Sequence, residues 1–171
     1  MVAGPESAGA PPSATASMTL LVAAVIVHDV AEDRVLLLQR GPDAAFAPGL
    51  WDLPTGKHEP GEPVTATAVR ELREETGLVV APADLAVAHL VHGARAVGSP
   101  GGYLTVVFAA RRFAGRAANR EPHKHARVEW TSTDALPSEF VPSAGEALAS
   151  YLAARSGGAP ARAGLTLRGW A

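Results

Sequence analysis

The chain has 171 residues, with 15 lysines and arginines against 17 aspartates and glutamates, a formal charge of −2 and no cysteine. The lack of cysteine excludes disulfides, thiolate metal sites and a cysteine nucleophile, so any chemistry must use oxygen and nitrogen groups. A near-neutral chain has no general attraction to nucleic acid or to anionic membranes. With 47% apolar residues, one packed domain is expected.

The two ends of the chain differ in composition from its middle. Residues 1–17 are mainly alanine, glycine, proline, serine and threonine, which predicts a disordered N-terminal tail. This segment lacks the basic start of a signal peptide, and no long apolar run predicts a membrane span, so a cytoplasmic location is expected. Residues 156–171 are predicted to form a C-terminal tail in which Leu165, Leu167 and Trp170 could dock as a short strand.

The middle of the chain, residues 18–155, contains five segments with strand-like patterns. The first two, Leu20–His28 and Arg34–Gln39, are near-continuous apolar runs that indicate burial on both faces. A loop rich in glycine and proline follows at Gly41–Gly49. The other three predicted strands are Leu85–Val91, Leu104–Ala109 and Arg127–Trp130.

Two helices are predicted. The first spans Pro63–Thr76, with proline at the first helical position and Gly77 directly after the end. The second begins at Ser143, which would form a capping box with Glu146, and continues to Gly157. Strands mixed with two helices indicate a layered α/β or α+β domain.

Acidic residues concentrate around the first helix, since five of the eleven glutamates lie between Glu59 and Glu75. At about 100° per residue, Glu71, Glu74 and Glu75 share roughly a third of the helix circumference. Like charges at this spacing destabilise an isolated helix, so either neighbouring arginines compensate on a solvated face or the face binds a cation. The glycine-containing loop Gly56–Gly61 before the helix favours a magnesium site, because Mg2+ prefers oxygen ligands.

Residues 56–78 read GKHEPGEPVTATAVRELREETGL and resemble the Nudix box, G-x5-E-x7-R-E-U-x-E-E-x-G-U with U aliphatic. The likeness covers about residues 19–155 and includes Trp51–Pro54 before the box, although Thr55 replaces a glycine of the usual pair. Every defined position of the box is matched, by Gly56, Glu62, Arg70, Glu71, Leu72, Glu74, Glu75, Gly77 and Leu78.

The resemblance implies an α/β fold of the Nudix type, an α/β/α sandwich with a mixed sheet between helices. It also implies a hydrolase that requires Mg2+, with Mn2+ as a substitute. By the same resemblance Glu74 and Glu75 would ligate the metal, and Glu71 would be a ligand or a base. The carbonyl of Gly56 would join the metal shell, and Arg70 would orient the glutamates through charge-assisted hydrogen bonds.

Further roles are implied around this centre. Glu62 would brace the loop before the helix, and Gly77 is structural within the motif. Relatives often place another acidic residue in the loop before the last strand, and Glu121 is the candidate for that metal ligand or base. His123 and His125 lie in the same loop, where such histidines are expected to be exposed more often than to accept a proton.

Arg40 and His58 are the candidate substrate-binding residues. Arg40 ends the second strand, where it would contact a phosphate or pair with a nearby carboxylate, and both readings stay open. His58 lies in the loop before the helix and would face phosphate or solvent. The basic stretch Arg111–Arg127 predicts either a nucleic-acid patch or a solvated connection, and the scarcity of interleaved aromatic residues favours the connection.

The expected activity is hydrolysis of a pyrophosphate linkage in a nucleoside triphosphate or related nucleotide by metal-activated water. One alternative is a diphosphatase for a non-nucleotide substrate such as a prenyl diphosphate. A second is a catalytically idle domain that binds nucleotide, although the complete set of glutamates favours an enzyme. A small-molecule substrate and no membrane or nucleic-acid partner are expected, and dimers in the family leave a homodimer open.

Overall fold

A computed structural model describes residues 19–96, 99–156 and 163–170 of the protein. The predicted N-terminal tail, residues 1–17, lies outside the described residues. A short 3-10 turn at Pro82–Asp84 separates the first helix from the fifth strand. The strands are β1 (Leu20–Asp29), β2 (Arg34–Arg40), β3 (Trp51–Asp52), β4 (Thr55–Lys57), β5 (Leu85–Gly93), β6 (Tyr103–Ala110), β7 (His125–Ser132) and β8 (Gly164–Arg168), and the helices are α1 (Val64–Thr76) and α2 (Pro142–Ser156).

The five strands predicted from the sequence are all present as β1, β2, β5, β6 and β7, each slightly longer than predicted. β3 and β4 were not predicted, because segments of two and three residues are too short to show an alternating pattern. β8 lies within residues 156–171, the segment that the sequence analysis expected could dock as a short strand.

All eight strands join one mixed sheet with the central order β3-β2-β1-β6-β5-β8. β1 and β6 run parallel, from Leu20 opposite Tyr103 to Val27 opposite Ala110. β4 pairs with β1 and β7 pairs with β2, both antiparallel. The start of β1 therefore lies beside β4, the strand that leads into the loop before α1.

Successive residues of β1 pack into two different hydrophobic layers. Val25 belongs to a cluster that includes Leu72 of α1, whereas Ile26 belongs to a cluster that includes Leu148 of α2. Helices thus cover both faces of the sheet, which explains why β1 is an uninterrupted apolar run and not an alternating one. The predicted α/β/α sandwich with a mixed sheet is confirmed.

The start of α1 differs from the prediction by one residue. Pro63 has extended backbone, with φ −72° and ψ 152°, and acts as the N-cap, so the helix begins at Val64. At the other end Gly77 adopts φ 76°, and its N–H donates to the Arg73 carbonyl over 2.9 Å. A left-handed residue of this kind favours glycine, so Gly77 ends the helix that carries the acidic face.

The predicted start of α2 is wrong. The helix begins at Pro142, and the Val141 carbonyl accepts its first backbone hydrogen bonds. Ser143 therefore lies inside the helix and is not its N-cap. The side chain of Glu146 pairs with Arg168 of β8 instead of closing a capping box.

β8 attaches the C-terminal segment to the outer strand of the sheet. It runs parallel to β5, and His89 Nε2 lies 2.8 Å from Thr166 Oγ1. The Trp170 Nε1–H donates to the His92 carbonyl over 3.0 Å. Among the described residues, no helix combines the length and the apolar character that a membrane crossing requires.

Candidate active site

α1 carries its three carboxylates with a gradient of burial. Glu75 is 4% exposed, the side chain of Glu71 is 16% exposed and that of Glu74 is 52% exposed. Leu72, on the neighbouring side of the helix, is fully buried in the core. The carboxylates therefore form a row that runs from the interior of the protein to solvent, and we call these three residues the carboxylate row.

β4 places backbone atoms directly against the carboxylate row. A Cβ added to Gly56 would lie 1.8 Å from the Glu71 carboxyl carbon, so any larger residue at position 56 requires the Glu71 carboxylate to move. The Thr55 N–H donates to Glu75 Oε2 over 2.9 Å. Pairing with β1, in which Gly56 lies opposite Ala23, holds the strand in this position.

Arg70 links the carboxylate row to the loop before the helix. Its Nη1 donates to Glu71 Oε1 over 2.8 Å and to Glu74 Oε2 over 3.3 Å. Its Nη2 and Nε donate to the two oxygens of Glu62 over 2.8 and 3.2 Å. The hydrogen bond from Arg70, followed by those from Glu59 N–H and Thr67, lowers the pKa of Glu62 to about 2. The guanidinium thus orients two carboxylates of the row while Glu62 fixes the guanidinium.

The loop before β7 and the first residue of that strand, His125, close the buried end of the carboxylate row. His125 Nε2 lies 3.1 Å from Glu75 Oε1, and ligand atoms of Glu75, Glu121 and His125 all lie within 4.8 Å of one another. Lys124 Nζ lies 2.8 Å from Glu121 Oε1. The expectation of exposure holds for His123 but is wrong for His125, whose side chain is buried against Glu75.

Burial raises the pKa of both Glu71 and Glu75 above their ordinary value. Hydrogen bonds from Arg70 to Glu71 and from His125 to Glu75 oppose the effect without removing it. A bound divalent cation would offset the cost of the ionised forms. The donor set of carboxylates beside a glycine strand suits a hard cation such as Mg2+, and the site residues therefore fit the cofactor that the sequence implied.

Arg40, at the end of β2, has a carboxylate partner. Its Nη1 donates to Asp52 Oδ2 over 3.2 Å, and its Nε donates to the Phe46 carbonyl over 2.7 Å. Its guanidinium also lies over the Phe46 ring, 5.5 Å from the centroid. Because Arg40 is the cross-strand partner of His125, this group borders the site. The reading that Arg40 pairs with a nearby carboxylate is the one that the structure shows.

The other substrate-binding candidate, His58, is tied to its own loop. Its Nε2 lies 2.6 Å from the carbonyl oxygen of Glu62. A contact between this ring and phosphate stays a prediction.

Sequence reasoning missed Asp52 as a residue of the site and favoured exposure for His125, which is buried. Asp52 is buried, and desolvation raises its pKa to about 6. A lone acidic residue between apolar Trp51 and Leu53 is the local signal that could have identified it. His125 has no comparable signal, because its partner Glu75 lies 50 residues earlier in the chain.

A family model described as the NUDIX domain matches residues 18–151, and the chain belongs to this family. The resemblance inferred from the 23-residue motif is thereby confirmed. The matched range contains the carboxylate row, Arg70 and the loop before β7.

Two curated relatives match shorter segments. Over 72 residues the chain is 39% identical to the CTP pyrophosphohydrolase of Escherichia coli K12. This match covers 42% of this chain and 50% of that protein. Over 79 residues it is 42% identical to an octanoyltransferase of Myxococcus xanthus. This match covers 46% of this chain and 20% of that protein. The chain therefore spans no more than half the length of these relatives.

Solved structures match most of the chain. A MutT NUDIX hydrolase from Burkholderia pseudomallei is 26% identical with a TM-score of 0.65, and the match covers 77% of this chain and 97% of that one. A NUDIX hydrolase from Nitrosomonas europaea is 21% identical with a TM-score of 0.67, covering 88% of this chain and 80% of that one. At this identity the second likeness concerns the fold alone.

Proposed function

We propose that this protein hydrolyses a pyrophosphate linkage in a nucleoside diphosphate derivative, with a nucleoside triphosphate as the expected substrate. The observation that carries the proposal is the convergence of Glu71, Glu74 and Glu75 beside Gly56. The similarity to proteins named CTP pyrophosphohydrolase and MutT NUDIX hydrolase supports the same chemistry. Mg2+ is the proposed cofactor, with Mn2+ as a substitute.

The carboxylate row would hold the cation together with the Gly56 carbonyl. A bound divalent cation supplies Lewis-acid chemistry, since it neutralises phosphate charge and lowers the pKa of water. Arg70 keeps Glu71 and Glu74 oriented before any ligand arrives. Such a preorganised arrangement stabilises developing charge without rearrangement during the reaction.

Arg40 is the proposed contact for a substrate phosphate. Asp52 and the Phe46 carbonyl hold its Nη1 and Nε, whereas its Nη2 has no hydrogen-bond partner within the described ranges 19–96, 99–156 and 163–170. A guanidinium held by two hydrogen bonds, with an unpaired Nη2, can donate to a phosphate at little cost in side-chain entropy. His58 lies in the loop between β4 and α1. It would contribute by fixing the backbone of that loop at the Glu62 carbonyl.

The test is a hydrolysis panel with Mg2+ and Mn2+ added separately to the chelator-treated protein. The panel contains nucleoside triphosphates, nucleoside diphosphates linked to sugars, and prenyl diphosphates, and the products are identified by mass. Reaction in 18O-water shows which phosphorus is attacked. We expect cation-dependent release of a base-containing product, with Glu129→Gln, an exposed glutamate of β7, as active as the wild type. Nucleotide binding without hydrolysis under either cation would overturn the proposal, and turnover of prenyl diphosphates alone would overturn the substrate class.

A further inference from the structure

The last strand of the sheet, β8, has a neighbour on one side only. Within the described part of the chain it pairs with β5 and ends the strand order β3-β2-β1-β6-β5-β8. Directly after β8 the ring of Trp170 contacts that of His92, with the two centroids 4.6 Å apart, and holds the chain against β5. β8 is therefore an ordered strand with a free edge, and such an edge is a template for another strand.

The unpaired backbone groups at this edge belong to two leucines. The Arg168 carbonyl accepts from the Ala94 N–H over 2.9 Å, so the backbone groups of Arg168 point toward β5. Successive residues of a strand direct these groups to opposite sides, so those of Thr166 also point toward β5. The N–H and C=O groups of Leu165 and Leu167 consequently point to the free edge.

The side chains of β8 alternate between a covered face and an open face. A Cβ added to Gly164 would lie 2.8 Å from Ser150 Oγ of α2, so Gly164 and Thr166 lie on the face that this helix covers. Leu165 and Leu167 lie on the opposite face, where each is 62% exposed. Large exposed apolar side chains beside an unpaired backbone edge indicate an interaction surface.

The edge is complementary to a second copy of itself. Residues 164–168 read GLTLR, with one leucine on each side of Thr166. If two copies pair antiparallel about a two-fold axis at Thr166, Leu165 of each copy lies opposite Leu167 of the other. Because these leucines direct their backbone groups outward, both pairs are of the hydrogen-bonded kind, and the leucine side chains lie side by side on one face. An interface with two-fold symmetry requires this kind of self-complementarity.

Charge favours the same pairing. Arg168, at the end of β8, pairs with Glu146 of α2. The two-fold register places Arg168 of one copy opposite Gly164 of the other, on the face where α2 carries its glutamate, so opposite charges approach each other. With a formal charge of −2 for each chain, the overall repulsion between two copies is small.

The size of the edge predicts the strength of the association. A standard protein interface contributes about 20–30 residues from each side. β8 has five residues and supplies far fewer than that, even with its flanking residues. The pairing should therefore be reversible and concentration-dependent.

We propose that β8 is a self-association surface, through which two copies pair antiparallel about Thr166 and join their eight-stranded sheets into one. The proposal is independent of the proposed function, because no residue assigned to the active site lies on β8. If a foreign strand or another segment of the same chain occupied this edge, the purified protein would stay monomeric.

Cysteine cross-linking tests the register, because the chain has no cysteine of its own. In the proposed dimer the two copies of Thr166 face each other in a non-hydrogen-bonded pair, with Cα atoms about 4.5 Å apart, which a disulfide can span. Thr166→Cys should form a disulfide-linked dimer under mild oxidation. Ser138→Cys, an exposed residue before α2, is the control and should stay largely monomeric. Cross-linking of Thr166→Cys no faster than that of Ser138→Cys would overturn the proposal.

Analytical ultracentrifugation of the full chain, from about 1 to 300 µM, tests the association itself and should show a reversible monomer–dimer equilibrium. The double variant Leu165→Lys, Leu167→Lys places like charges opposite each other and should weaken dimerisation by at least about tenfold. Both side chains are exposed, so thermal unfolding should show that the variant is folded. Val30→Lys, which replaces an exposed apolar residue in the turn after β1, should dimerise like the wild type. A wild type that is monomeric throughout this range, or a dimer that persists in the double variant, contradicts the proposal.

Discussion

Gly56 of β4 lies so close to Glu71 of α1 that a single added methyl group would stand 1.8 Å from the glutamate's carboxyl carbon. The backbone conformation of Gly56 does not require glycine, because its φ angle is not positive. Its role is to let the strand approach the carboxylate. Position 56 therefore couples the sheet to the row of ligands on the helix.

Gly56→Ala is expected to displace the Glu71 side chain and to destabilise the fold by about 1–3 kcal/mol, as overpacking typically does. Glu71→Ala removes the atoms that the new methyl group would meet. In that background the cost of Gly56→Ala should fall close to zero, and chemical denaturation of the four proteins in the double-mutant cycle measures the difference. Equal costs in both backgrounds would show that the clash involves other atoms.

Arg70→Lys is expected to reduce kcat/KM by roughly 10- to 100-fold, the usual effect of losing a group that orients metal ligands. Lysine cannot reproduce the fork that binds both oxygens of Glu62 while also reaching Glu71. The effect should appear together with weaker metal binding, measured by titration without substrate. Arg73→Lys, on the exposed side of the same helix, is the matched control and should behave as the wild type.

Glu75→Gln is expected to reduce turnover by roughly 100-fold or more, while the domain stays folded. Glutamine keeps the shape of the side chain, and burial already disfavours the ionised carboxylate, as its raised pKa indicates. Thermal unfolding should therefore show a Tm at least equal to that of the wild type. Glu74→Gln tests the exposed end of the row in the same assay, and normal Mg2+-dependent turnover by either variant would refute the ligand assignment.

Much of this site could be predicted from local sequence, and α1 shows why. The helical repeat brings Glu71, Glu74 and Glu75 to one side of the helix, and Gly77 ends it, so the acidic face follows from spacing alone. The apolar run of β1 likewise predicts a strand covered on both faces.

The residues that spacing could not identify act through contacts between distant elements. His125 is buried because β7 pairs with β2 and turns this residue toward Glu75, 50 positions earlier. Hairpin and crossover pairings of this kind are set by the whole sheet and leave no periodic signal near the residue itself. The burial gradient along the row, from Glu75 to Glu74, also depends on which side of α1 the sheet covers.

Asp52 gives a prediction for the pH dependence of stability. Burial, the largest cause, raises its pKa to about 6 in the folded protein, although Arg40 and the Leu53 N–H oppose the shift. The ordinary value is 3.8, so the folded protein holds this proton more tightly than the unfolded chain does. The resulting stabilisation is complete below about pH 4 and is lost as the pH rises through about 6.

In Asp52→Asn this loss should disappear. Relative to the variant, the wild type should lose about 2–3 kcal/mol of unfolding free energy between pH 4 and pH 7, since a shift of about two pKa units corresponds to that energy. Denaturant unfolding of chelator-treated protein at several pH values measures both curves, and carboxylates that do not interact with Asp52 cancel in the difference, whereas the charge of Glu75 contributes to the shift. Asp43→Asn, an exposed aspartate in the loop after β2, is the control and should run parallel to the wild type. If Asp52→Asn also ran parallel to the wild type, the buried carboxyl would have to remain ionised throughout this range, held by Arg40.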